Sequence, residues 1–210
     1  LAVWLAGFAE LIAGSLILLE FAEVSKIWLI VLTVAILAYE AVHKKWSGGV
    51  WIMGSCRFFL WLAAASAANA SLAPLTISWA VIMAFYVVGI SLFARGEATG
   101  GSGENRLPIL LLFGAPLFAL VLLVYWNNLP PTAKFATNVA GLVSVWLAYT
   151  AVQRMRTGEK GCIGQGVSRL LAGIAACDAT AMGLISPSLA YACLACIPIA
   201  FLMQKKFAAT

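Results

Sequence analysis

Charge is what this chain has least of. Asp, Glu, Lys and Arg make up 10% of its 210 residues, against roughly 25% in soluble domains, so a water-soluble fold is excluded. Acidic residues are scarcest: eight in all, with no pair of spaced aspartates able to hold a divalent cation between them. Histidine occurs once, as His43. The five cysteines are scattered. Cys193 and Cys196 form a CxxC inside an apolar run, without His or acidic companions, so these thiols read as small apolar side chains rather than ligands. The first apolar run lacks a basic leader and is followed by more of the same, so no cleavable signal peptide is expected.

What fills the chain is hydrocarbon: 63% of residues are hydrophobic and the mean hydropathy is +1.00. The apolar runs give eight candidate membrane spans: Leu1 to Leu19, Ile27 to Val42, Val50 to Ala70, Leu75 to Ala94, Leu107 to Trp126, Phe135 to Val152, Ile163 to Leu184 and Leu189 to Met203. A helix needs about 20 apolar residues to cross a bilayer; the runs beginning at Ile27 and Leu189 fall short and lean on their flanks. The expected fold class is all-α, a polytopic transmembrane bundle of seven to eight spans. Gly48-Gly49, Ala73-Pro74, the Gly-rich stretch 96–103 and Asn127 to Pro131 punctuate it. Most of the tryptophans sit near span ends, as interfacial anchors do. The run Ala63 to Ala68 offers small residues for close helix approach.

The basic residues orient this bundle. His43-Lys44-Lys45, Arg57, Arg95, Arg106, Arg154, Arg156, Lys160, Arg169, Lys205 and Lys206 lie in or beside alternate gaps. Only Lys26 and Lys134 fall in the others, so 11 of 13 Lys and Arg share one face. The positive-inside rule makes that face the cytoplasm and puts both ends of the chain there, in a membrane of the bacterial inner kind. A net charge of +5 placed at span ends suits anionic lipid headgroups or an anionic substrate, not nucleic acid.

Polar residues within the runs need partners, because intramembrane charge is costly. Glu10 falls midway along the first run, pointing into a cavity or bridging to a neighbouring helix. Asp178 lies toward the outer end of the seventh, where a structural hydrogen bond is expected. The cytoplasmic ends are richer. Tyr39 and His43 are four apart and share a helix face, as do Glu40 and Lys44. Arg57 follows about two turns into the next run, and Arg95 and Glu97 close the fourth. Arg and Lys together suit a phosphate or diphosphate. Lys44 and Lys45 also fit a plain positive-inside flank with snorkelling side chains; Arg57, flanked by apolar residues, fits that less well.

The stretch from Tyr39 to Ala68, YEAVHKKWSGGVWIMGSCRFFLWLAAASAA, resembles the UbiA superfamily of intramembrane prenyltransferases. Its MGxCR start and small-residue tail are most similar to an atypical, EboC-like branch, and FARGE at Phe93 to Glu97 stands where typical members carry a second aspartate-rich motif. The resemblance implies one domain over residues 1–210, with a central cavity open to lipid. It implies transfer of an isoprenyl group from its diphosphate to a lipophilic acceptor, aided by Mg²⁺. Tyr39, His43, Lys44, Arg57, Arg95 and Glu97 would line the diphosphate pocket. The departures are as plain. An NDxxDxxxD motif is absent, so the resemblance implies that Leu1 is an internal start. Arg95 and Glu97 replace DxxxD, and Mg²⁺ ligands are not evident, so this chain alone is expected to be inactive. The alternative is a UbiA-like protein that binds or moves an isoprenoid or other lipophilic metabolite without chemistry. A secondary transporter is disfavoured by the lack of an inverted repeat.

Overall fold

The computed structural model describes residues 2–21, 24–43, 45–68, 73–99, 106–125 and 128–206. Lys44, the part of the Gly-rich stretch beyond Thr99, and Asn127 lie outside the described residues, as does the side chain of Glu97. The described residues form helices and no strand: α1 (Ala2–Phe21), α2 (Lys26–Val42), α3 (Gly49–Ala68), α4 (Pro74–Thr99), α5 (Arg106–Tyr125), α6 (Pro131–Arg156), α7 (Cys162–Ile185) and α8 (Pro187–Lys206). Each apolar run coincides with one helix. Chain punctuation sets the boundaries. Pro74, Pro131 and Pro187 are each the first residue of a helix, where a missing N–H costs nothing and φ is already helical. Between α6 and α7 the chain reverses through Gly158 at φ 67° and Gly161 at φ 78°, left-handed conformations that other residues adopt at a cost.

Among the described residues, five helical segments are long and apolar enough to cross a membrane: Gly49–Ala67, Pro74–Arg95, Pro131–Arg156, Cys162–Ile185 and Pro187–Gln204. Continuous helix is what hydrocarbon demands, because each backbone polar group must be satisfied within its own segment. The eighth run, short by composition, becomes a full span because its helix starts at Pro187 and extends to Lys206. The second remains short: α2 has 17 residues, about 26 Å at 1.5 Å per residue.

The chain divides into two compact units, Leu1–Ala84 and Phe85–Thr210. In the first, α2 and α3 form an antiparallel hairpin. Its open end is tied by the Ser25 N–H donating to Ser66 Oγ at 3.1 Å. Val24, Leu29 and Ala63 pack there with Leu18, Leu19 and Trp28, and Trp28 stacks on Phe59 with ring centroids 6.4 Å apart. Trp79, expected as an interfacial anchor, is buried and meets Trp61 edge-on.

The second unit is built on α6, α7 and α8, with α5 against α6 and α7. Its interface is made of small residues. Ala133, Ala136, Thr137, Ala140, Gly141, Ser144 and Ala148 of α6 are buried, as are Gly173, Ala176, Ala179, Thr180 and Gly183 of α7. Lipid tails give helices no hydrophobic reason to associate, so close backbone approach through small side chains supplies the contact. The alanine run expected to do this on α3 does less: Ala63 is buried, but Ala64 and Ala67 are exposed. Large side chains face outward instead, with Leu110, Leu142, Trp146 and Ile185 all more than 60% exposed, an exterior suited to hydrocarbon.

Candidate functional site

The helix-face argument for Tyr39 and His43 holds in detail. Their rings stack at the end of α2, centroids 4.9 Å apart and planes 23° from parallel. His43 caps the helix, its backbone N–H donating to Tyr39 O at 2.8 Å. Its Nδ1 lies 3.2 Å from the carbonyl oxygens of both Tyr39 and Glu40. A carbonyl only accepts, so Nδ1 carries the proton, and in the neutral ring Nε2 holds the lone pair. Lys45 is exposed, and its N–H donates to Val42 O at 2.9 Å in the turn leading to α3.

Arg57 lies on the partner helix of this hairpin, half-buried about two turns into α3, with its Nε buried. Ser55, just before it, turns its hydroxyl back to Ile52 O at 2.7 Å. The first unit therefore carries a phenol, an imidazole and a guanidinium on two paired helices. Arg95 is half-buried in the last turns of α4 and belongs to the second unit.

Glu10 lines a cleft of about 500 Å³ between α1 and α2. Gly7, Phe8 and Leu11 share it from α1, with Ile36, Leu37 and Glu40 from α2. Both carboxylate residues are exposed. Glu40, read from spacing as a partner for Lys44, thus also faces Glu10 across this cleft. Asp178 is half-buried on α7, with Oδ1 buried.

A polar cluster at one end of the second unit had no sequence signal beyond its charges. Arg154 donates through Nε to Gln165 Oε1 at 2.7 Å and through Nη1 to Glu159 Oε2 at 2.6 Å, clasping the turn between α6 and α7. Ser168 donates to Gln204, joining α7 to α8. Arg169 donates to Thr150 O at 3.0 Å. Arg169, about two turns into α7, is thus engaged by the α6 backbone. Beside it Ser168, Gln204, Pro198, Phe201 and Leu202 line a second cleft, of about 580 Å³.

Among the described residues no three His, Cys, Asp or Glu side chains converge on a point where a metal could sit. Mg²⁺ prefers about six oxygen ligands in an octahedron, at least one or two of them carboxylates. The described donor set does not fit it. The chain matches no protein-family model, no curated protein and no solved structure.

Proposed function

We propose that this chain is a multi-pass protein of seven to eight spans, in a bacterial inner membrane, that binds an isoprenyl diphosphate as a UbiA-like protein does. The observation that carries this reading is Arg57: a half-buried guanidinium inside an apolar helix, paired with the helix that ends in the Tyr39–His43 stack. A permanent cation at that depth is stabilised by an anion, and the fork of a guanidinium matches phosphate oxygens. The surrounding apolar residues suit a prenyl chain. Lys44, next to His43 in sequence, adds a second cation to this reading. Both ends of the chain and the turn after Arg156 lie in the cytoplasm in this reading.

In the fuller form of the reading, the protein transfers the prenyl group to a lipophilic acceptor. Basic residues then stabilise the diphosphate as negative charge builds on it, and the apolar walls keep water from the allylic carbon. The second reading is a binder or carrier without chemistry, and Arg95 and Glu97 standing in place of the second aspartate-rich motif favour it. Equilibrium binding of geranylgeranyl diphosphate to the purified chain, with inorganic diphosphate and geranylgeraniol as competitors, tests the shared core. Saturable binding that needs both the chain and the diphosphate supports it. Equal affinity for the alcohol would overturn the anion site. Turnover with an aromatic acceptor separates transferase from carrier.

A further inference from the structure

The cleft between α1 and α2 has walls of one kind and charge of another. Phe8 and Leu11 face it from one helix, Ile36 and Leu37 from the other, and Glu10 and Glu40 bring a carboxylate from each. Gly7 leaves it open: a Cβ there would meet nothing within 4 Å. Its volume, about 500 Å³, lies within the roughly 300–1,000 Å³ of small-molecule sites. Neither carboxylate takes part in an ion pair among the described residues; Arg154–Glu159 is such a pair, in the second unit.

We propose that this cleft binds a lipophilic organic cation, an ammonium or phosphonium carried on hydrocarbon. Charge complementarity selects the occupant. Glu10 sits near the middle of an apolar helix, where an ionised carboxylate is stabilised by a cation or a proton. An anionic amphiphile would be repelled by both carboxylates. A divalent metal would need more oxygen ligands than two side chains supply, and the other walls are hydrocarbon. An organic cation uses both features: its charge lies between Glu10 and Glu40, and its hydrocarbon covers Phe8, Leu11, Ile36 and Leu37. This site is separate in kind from the diphosphate reading, which calls for the opposite charge.

Equilibrium binding of radiolabelled tetraphenylphosphonium to the full chain, in a neutral maltoside detergent, tests the proposal. Saturable binding is expected, and a neutral tetraphenyl analogue should not compete. Glu10→Gln and Glu40→Gln should each weaken binding by about tenfold or more, the range for loss of a charge-assisted contact. Leu37→Trp should block binding with both carboxylates intact, and circular dichroism should show each variant as helical as the parent. Absence of saturable binding by the folded parent would overturn the proposal. So would binding untouched by either glutamine substitution, or a cleft filled instead by co-purifying phospholipid or a second copy of the chain that the cation fails to displace.

Discussion

The Tyr86 hydroxyl occupies the space that a side chain on Gly173 would need. It donates to Leu170 O on α7 at 3.1 Å, and a Cβ built on Gly173 would stand 2.5 Å from that oxygen. Tyr86 is fully buried, so the ring has nowhere to retreat. Gly173→Ala should lower stability by about 1–3 kcal/mol, the usual cost of overpacking a filled interior. Tyr86→Phe alone loses the bond to Leu170 O, about 0.5–1.5 kcal/mol for a hydrogen bond. Because the phenylalanine also clears the oxygen, the double variant should be more stable than the sum of the two single losses. Melting temperatures of the four proteins in one detergent check this. Strict additivity would mean that the two residues do not meet.

A second glycine behaves differently because its neighbour is backbone. A Cβ on Gly183 would lie 2.5 Å from Thr137 Oγ1, 2.8 Å from Thr137 N and 3.0 Å from its Cα. Gly183→Ala should therefore force α6 and α7 apart. Thr137→Ala should give no rescue, since the amide remains in the way. The same melting experiment distinguishes the cases, and a rescue as large as that at Gly173 would count against so close an approach.

Sequence reading located the helices well because their determinants are local. Apolar runs of the right length, broken at Gly48-Gly49, Pro74 and Pro131, need no knowledge of the fold. The shared face of Tyr39 and His43 was equally legible, since four residues along a helix is about one turn; that their rings stack was not. What stayed hidden depends on which helices meet. Nothing local says that Gly183 on α7 faces Thr137 on α6, or that small-residue packing runs along these helices rather than through the alanines of α3. Glu10 announced itself as a charge in a span, but its cleft with Glu40 required both helices to be placed. Arg169 announced itself only as a charge beside a span, and its bond to Thr150 O required α6 and α7 to be placed together.

Orientation is open to direct measurement. In a cysteine-free background, Asn128→Cys lies in the turn before α6 and Thr157→Cys in the turn after it. The Lys and Arg distribution puts the second turn in the cytoplasm. A membrane-impermeant maleimide should label Asn128→Cys in intact cells and Thr157→Cys only after permeabilisation. The reverse pattern would invert the topology and place the proposed diphosphate site on the outer face.

Arg57 is where the proposed function is most exposed to refutation. Its guanidinium is half-buried in α3, so removing it affects either a bound anion or the helix packing around it, and these two effects can be told apart. Arg57→Ala should weaken binding of geranylgeranyl diphosphate by about 1.5–3 kcal/mol, the worth of a charge-assisted hydrogen bond. Arg57→Lys restores the charge without the planar fork and should recover only part of that loss. Geranylgeraniol, which has no phosphate, should bind parent and variants alike. Arg169→Ala serves as the control: its guanidinium bonds the α6 backbone, so its loss should lower the melting temperature and leave diphosphate affinity within about twofold of the parent, a few tenths of a kcal/mol. If Arg57→Ala instead behaves as this control does, the arginine holds the hairpin together and the anion site lies elsewhere.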